Sequence, residues 1–436
     1  MIRRPLLFLF MVCLSSAGAL AQVNCTSSNK LVCQIPFATG AASGGATMQA
    51  SEDAVAFNAP IAAQLTQLPL VSSSSGVVFV FNKSLGIDQP LENLGPILTE
   101  RAQTIGKQRL FLGFSFQQFN FNKLDGNSLG AVPFVYQATV GTGTQTYTQY
   151  VQQTENISIA FKQYVFVATY GLFDKTDVSI ILPFDRVSIG SGRTLDTMGT
   201  QYFVSPEGAP LGKGPTSQPY ISGIASGIGD VLVNLKQWIV KGERTNVSGG
   251  ILLRFPSGDA RNYLGSGAFG FNPYAIISYQ IKPWISPHAR FGYQWNTSTV
   301  LVPNQAFTGP LPLPGGVQYD LGVDTKVVKH LTFAADFLGN QFVNSPGLKV
   351  GPLSLAIPGY DIMPLTVTRT TSTYTISDFS MGLKWNPWGS LKSKDGKSSP
   401  LQGLLFYANA LFQLNDAGLH TDPVPLVGVS YKFNKL

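Results

Sequence analysis

From about Gln108 to the end of the chain, apolar residues alternate with polar or small ones in runs of roughly ten, each followed by turn chemistry. Gln318 to Val327 shows it most plainly: Tyr319, Leu321, Val323 and Val327 fall on one face, and Gln318, Asp320, Gly322, Asp324 and Lys326 on the other. His288 to Asn296 repeats it, with Ala289, Phe291, Tyr293 and Trp295 against His288, Arg290, Gly292, Gln294 and Asn296. A period of two marks a strand whose faces meet different surroundings. A soluble sandwich and a membrane barrel share that pattern, so the links between strands have to separate them.

Those links alternate in length. Short ones fall at residues 171–175, 241–244, 282–284 and 328–330, and long ones at about 121–155, 189–227, 256–268, 297–316 and 339–373. Outer-membrane barrels keep short periplasmic turns and longer extracellular loops, and a sandwich has no reason to do so. The pattern predicts an all-β fold, a transmembrane antiparallel up-and-down β-barrel of about twelve strands. They lie near 108–120, 156–170, 176–188, 228–240, 245–255, 269–281, 285–296, 317–327, 330–338, 374–386, 402–413 and 424–434. The stretch 387–399 is too long for a short link. Trp238, Trp284, Trp385 and Trp388 lie beside links on the periplasmic side and Trp295 beside an extracellular one, as an interfacial girdle requires. The final strand ends Tyr431-Lys432-Phe433, like the closing-strand signal read by barrel-assembly machinery, with Asn434-Lys435-Leu436 beyond it.

Residues 22–107 have no strand rhythm. Asn58-Ala59-Pro60 followed by Ile61, Leu65 and Leu68 predicts one short helix with Pro in its first turn, and Gly76 to Phe81 one strand. Three roles stay open for this segment: a plug in the barrel, which is preferred, a periplasmic arm, or an added hairpin that raises the strand count to fourteen. The barrel then occupies residues 108–436.

The start of the chain bears on location. Arg3-Arg4, the apolar run from Leu6 to Val12 and the small-residue pattern Ala19-Leu20-Ala21 form a signal peptide over residues 1–21. Its removal lowers the formal charge from +7 to +5, without a basic run or a basic stretch interleaved with aromatics, so no nucleic-acid partner is expected. Cys25 and Cys33 remain in the exported chain, and a structural disulfide between them is favoured over free thiols.

The alternation also selects lumen-lining candidates: Asp230, Lys236, Arg254, His288, Arg290, Asp320, Asp324 and Lys326, with Lys162, Asp177, Asp336, Asp378 and Lys384. Both signs are present. Such charges either pair into a network that fixes the barrel's shape or line a polar pathway, and His288, Arg290, Asp320 and Asp324 are assigned to the pathway. No catalytic, cofactor or metal site is expected. The three histidines His288, His330 and His420 do not stand beside a serine in the pattern of an outer-membrane lipid-modifying enzyme, which leaves that reading weak. Gly265 to Gly270 spells G-x-G-x-x-G but falls between strands, where no helix N-terminus meets a phosphate, so it reads as turn chemistry, as does Asp395-Gly396.

Gly227-Ile228-Gly229-Asp230-Val231, Leu253-Arg254-Phe255-Pro256-Ser257-Gly258-Asp259, Gly265-Ser266-Gly267 and the unit Tyr170 to Asp177 resemble the outer-membrane transporter-like family linked to the phenol meta-degradation pathway. The likeness runs over roughly residues 94–434, with Ser257 where the family pattern suggests Thr and with the long N-terminal segment as a departure. The resemblance implies a channel for small hydrophobic or aromatic molecules. The partners expected are outer-membrane lipid, lipopolysaccharide, barrel-assembly machinery and small hydrophobic solutes, with no cofactor. The alternative is a structural or adhesive barrel acting through its long loops, especially 189–227 and 339–373. Leu348, Val350, Leu353, Leu355, Ile357 and Leu365 would make the latter an apolar access site or an in-folded loop.

Overall fold

The computed structural model describes residues 29–35, 57–73, 79–82, 87–90, 93–142, 145–192, 202–204, 210–213, 220–303, 310–353, 355–357, 360–363, 365–389 and 400–433. The expected signal peptide, Cys25 and Asp395-Gly396 lie outside them.

Twelve strands form the wall. They are β1 (Leu110–Leu124), β2 (Gln145–Phe173), β3 (Thr176–Gly192), β4 (Ile221–Ile228 continuing as Val231–Lys241), β5 (Thr245–Phe255), β6 (Gly270–Tyr279), β7 (Ile285–Asn296), β8 (Gly316–Val328), β9 (Leu331–Pro352), β10 (Leu365–Trp385), β11 (Leu404–Gln413) and β12 (Val424–Phe433). Each pairs antiparallel with its neighbours in sequence, and β12 pairs with β1 from Leu426↔Gln117 to Phe433↔Leu110, which closes the ring. A closed antiparallel sheet leaves no wall edge unpaired, the condition for β-structure in hydrocarbon.

The alternation decides which face is which. Exposed outward residues include Phe166, Ile180, Leu182, Leu235, Ile277, Phe291, Leu321, Met381, Leu383 and Val427, whereas the neighbours in between, such as Asp177, Asn234, Lys236, His288, Asp320, Asp324 and Lys384, are buried. An apolar outer band around a polar interior is the reverse of a soluble protein and fits lipid outside. Trp284, Trp295 and Trp385 stand on the outer face. Trp238 does not: it shares the parity of Lys236 and is 3% exposed, so it points inward at the end with short links instead of joining the girdle.

Three other expectations change. The stretch 339–373 is mainly the top of a long hairpin, paired as far as Pro352↔Leu365, because Leu365-Thr366-Val367-Thr368 is rich in residues that favour strands. Leu348 and Val367 are buried there as strand residues, which corrects the access-loop reading. Lys162 is half-buried at an outward position between inward Phe161 and Gln163, paired with Arg186, so it leaves the lumen set. Phe79–Asn82 pairs with Ile87–Pro90 in a separate two-stranded sheet and adds nothing to the wall, which excludes fourteen strands by that hairpin. The helix α1 forms over Asn58–Leu65, as its Pro60 signal predicts.

Among the irregularities of the wall, one joins the two parts of β4. Above it Ile228 pairs with Phe184, and below it Leu232 pairs with Ile181, so three residues of β4 oppose two of β3. Pro183 has no N–H to give the ladder, and Gly229 instead donates to the Pro183 carbonyl at 2.9 Å. A Cβ at Gly229 would meet the Asp185 carboxylate, so a side chain does not fit at the bulge.

Candidate functional site

Inward side chains close round the described parts of the N-terminal segment. Residues 93–105 cross the barrel near the short-link end, and seven strands or their turns hold them. Asn93 Nδ2 donates to Asp324 Oδ2 at 2.6 Å, Leu94 N to Thr332 Oγ1 at 2.8 Å, Ala102 N to Ser278 Oγ at 2.8 Å and Ile105 N to Asp177 Oδ2 at 2.9 Å. Lys384 Nζ donates to the Pro96 carbonyl, Lys236 Nζ to the Arg101 carbonyl at 3.3 Å, and Thr104 Oγ1 to the Asp174 carbonyl at 2.9 Å.

Asp324 is the centre of this contact. Its carboxylate accepts from Arg101 Nε at 3.1 Å and pairs with Arg101 Nη2, with both side chains almost wholly buried. His288 Nδ1 lies 3.5 Å from Asp324 Oδ1, and Thr99 Oγ1 sits between His288 Nε2 and Asp336 Oδ1. Gly322 makes room for this group, since a Cβ there would collide with His288 and Asp336. Glu100 lies beyond. Burial pushes its carboxyl up, but Lys236 at 3.9 Å, the Ser73 hydroxyl and Arg290 together hold it below the ordinary value.

At the other end, α1 and residues 30–35 meet the long links. Lys30 Nζ pairs with Asp259 at 2.9 Å, Leu31 N donates to Asn262 Oδ1 at 3.1 Å, and Tyr263 Oη donates to Asn58 Oδ1 at 2.6 Å. Cys33 is buried and disulfide-bonded, while its expected partner Cys25 is outside the described residues. Described parts of the segment thus meet the wall near both ends of the lumen.

Between these ends lies a cavity of about 190 Å³. Leu68, Leu70, Phe119, Leu232, Leu338 and Phe342 supply apolar walls, and Arg254, Arg290, Asp320 and Asp378 supply charge. Arg290 Nη1 donates to Asp320 at 3.3 Å and its guanidinium lies 4.6 Å from the centre of the Tyr274 ring. Arg254 reaches the Thr66 carbonyl at 2.7 Å and Asn296 Oδ1 at 2.6 Å, with Asp230 at 3.8 Å. A smaller space, about 50 Å³, shares Thr66, Leu68, Leu70, Leu232 and Arg254 with the cavity and continues to Pro183, Asp185 and Asp230 at the bulge.

The sequence-derived set is thus divided. Arg254, Arg290 and Asp320 line the cavity, Asp230 marks the bulge, and Lys236, His288 and Asp324 bind the segment. Lys326 shares the inward parity but is only half-buried, three places from the turn at Lys329-His330. The alternation missed residues 64–72 and 93–105, whose contribution depends on contacts far away in sequence. Among the described residues no group of three or more His, Cys, Asp or Glu is placed to hold a metal.

The family model described as "Putative MetA-pathway of phenol degradation" matches residues 120–352, more than half of the chain. No curated protein matches the sequence. Similar solved structures include an outer membrane channel from Pseudomonas putida F1, with 9% identity, TM-score 0.43, and coverage of 77% of this chain and 99% of the other. The CymD monoaromatic hydrocarbon channel aligns at 11% identity and TM-score 0.34, covering 75% and 89%. A Pseudomonas aeruginosa FadL homologue aligns at 10% identity and TM-score 0.26, covering 75% and 90%.

Proposed function

Since the chain belongs to the family of the MetA pathway of phenol degradation, we propose that it is an outer-membrane channel for passive uptake or exchange of small, mainly hydrophobic or aromatic molecules. The observation that carries this is the cavity: about 190 Å³ of mixed but largely apolar lining, inside a barrel whose outer face is apolar. A dry cavity of about 150 Å³ lined by Leu, Ile and Phe accepts benzene, so a single aromatic ring fits this one. The extension toward Pro183 and Asp230 gives such a molecule a direction of travel other than along the polar axis. Residues 22–107 act in this reading as a plug, because the hydrogen bonds of residues 93–105 cross the lumen below the cavity.

The test fills the cavity. Leu232 lines both spaces, so Leu232→Trp should lower the rate of radiolabelled toluene uptake by cells carrying the gene, because the larger indole occupies the space that a ring-sized solute needs. Uptake equal to that of the wild type, with the same amount of folded barrel in the membrane, would remove the cavity from the pathway.

A further inference from the structure

Among the described residues, the charged side chains that line the main cavity are paired with one exception. Arg290 faces Asp320 at 3.3 Å, Arg254 faces Asp230 at 3.8 Å, and Glu100 faces Lys236 at 3.9 Å. Asp378 lines the same cavity and is 7% exposed, yet among the described residues its carboxylate has no hydrogen bond and no cation within ion-pair distance. The strand register places it on one row with Arg290 and Asp320: Arg290 pairs with Asp320, Asp320 with Leu338, Leu338 with Asp378, and Asp378 with Gln413. Arg290 cannot serve Asp378 from that row without abandoning Asp320 and the Tyr274 ring. Lys384, on the same strand, is already engaged with the Pro96 carbonyl below.

A buried carboxylate left without a partner is costly, and a chain that needed only an inert wall could carry an uncharged residue there. We propose that Asp378 is a recognition residue and that the cavity takes a small molecule with a protonated amine on an apolar, ring-sized body. The amine completes the charge balance of the row and gives the carboxylate charge-assisted hydrogen bonds. A hydroxyl head satisfies an acceptor but leaves the charge, and a carboxylate head adds repulsion. The apolar body rests against Leu338, Phe342, Ile376 and Leu411, which line the cavity with Asp378. This inference refines the channel reading and rests on the cavity being its binding site.

The experiment is calorimetric titration of the full exported chain in detergent with benzylamine, benzyl alcohol and benzoate, which share one body and differ in the head. Benzylamine should bind about tenfold more tightly than benzyl alcohol, and benzoate should be the weakest, as expected for a charge-assisted contact against a neutral one. Asp378→Asn should cost benzylamine about that tenfold while leaving benzyl alcohol within about twofold, and Asp378→Glu should restore much of the preference. Equal binding of the three ligands, or an unchanged benzylamine affinity in a folded Asp378→Asn barrel, overturns the proposal. If neither variant folds, the wild-type order of the three ligands decides it. Toluene uptake separates the two readings: uptake without amine preference sinks this inference alone, and amine binding without any uptake sinks the channel.

Discussion

Arg101 and Asp324 show what a single contact does in this lumen. The pair is almost wholly buried, and each partner has further bonds: Asp324 to Asn93, and Arg101 through its carbonyl to Lys236. Removing one member of a buried pair strands the other charge and typically costs about 3–5 kcal/mol, whereas replacing both is often close to neutral. Arg101→Met should therefore loosen residues 93–105 from the wall, and adding Asp324→Asn to it should restore part of the loss. Limited proteolysis of the folded barrel reads this directly, as faster cleavage in the segment for the single variant than for the double. Equal rates in all three proteins would mean that the pair does not hold the segment. Alternation predicted Asp324 and His288 as inward residues. It could not predict that Arg101 meets them, since the two ends of the pair are 223 positions apart and residues 93–105 have no period of their own.

At the scale of elements, the N-terminal segment is the part least legible in the sequence, and it has the largest consequence for conduction. Pro60 in a first turn is a local signal, and α1 forms where it points. The stretch from Gln67 to Ser73 and the crossing by residues 93–105 are ordered by tertiary bonds to β3, β4, β6, β7, β8 and β9, which no local signal contains. The error over 339–373 has another origin. Thr and Ser at both parities hide the period of two in Thr366 to Thr375, so the polar top of a long strand reads as a loop. If the segment is a plug, a barrel lacking residues 22–107 should give larger single-channel steps in a planar bilayer than the complete chain. Identical steps would place the constriction in the wall or the long links instead.

For the whole molecule, what the sequence makes legible is the two-sided wall. Because every strand has one side in hydrocarbon and one in a polar lumen, the period of two survives in the part of each that crosses the membrane, and twelve such strands close without needing any one long-range contact to be foreseen. Register faults are where this reasoning stops: Trp238 borders a shift in pairing, and its inward parity follows from the strand it shares with Lys236 and not from its residue type. The same wall makes an asymmetric prediction about substitutions. Phe291 points outward and is 60% exposed, and its neighbour Arg290 points inward beside Asp320. An arginine moved from one face to the other by a single position meets lipid instead of a carboxylate. Phe291→Arg should cost about 2–4 kcal/mol if it lies near the bilayer midplane, less toward either interface. The loss should appear as a lower urea midpoint for folding into lipid vesicles. In a detergent that solvates the guanidinium the difference should shrink, because the cost comes from hydrocarbon and not from packing within the protein. A soluble protein with the same alternation would behave in the opposite way, gaining solubility from an arginine on its exposed face, so the sign of this one change discriminates the membrane barrel from any water-facing sheet.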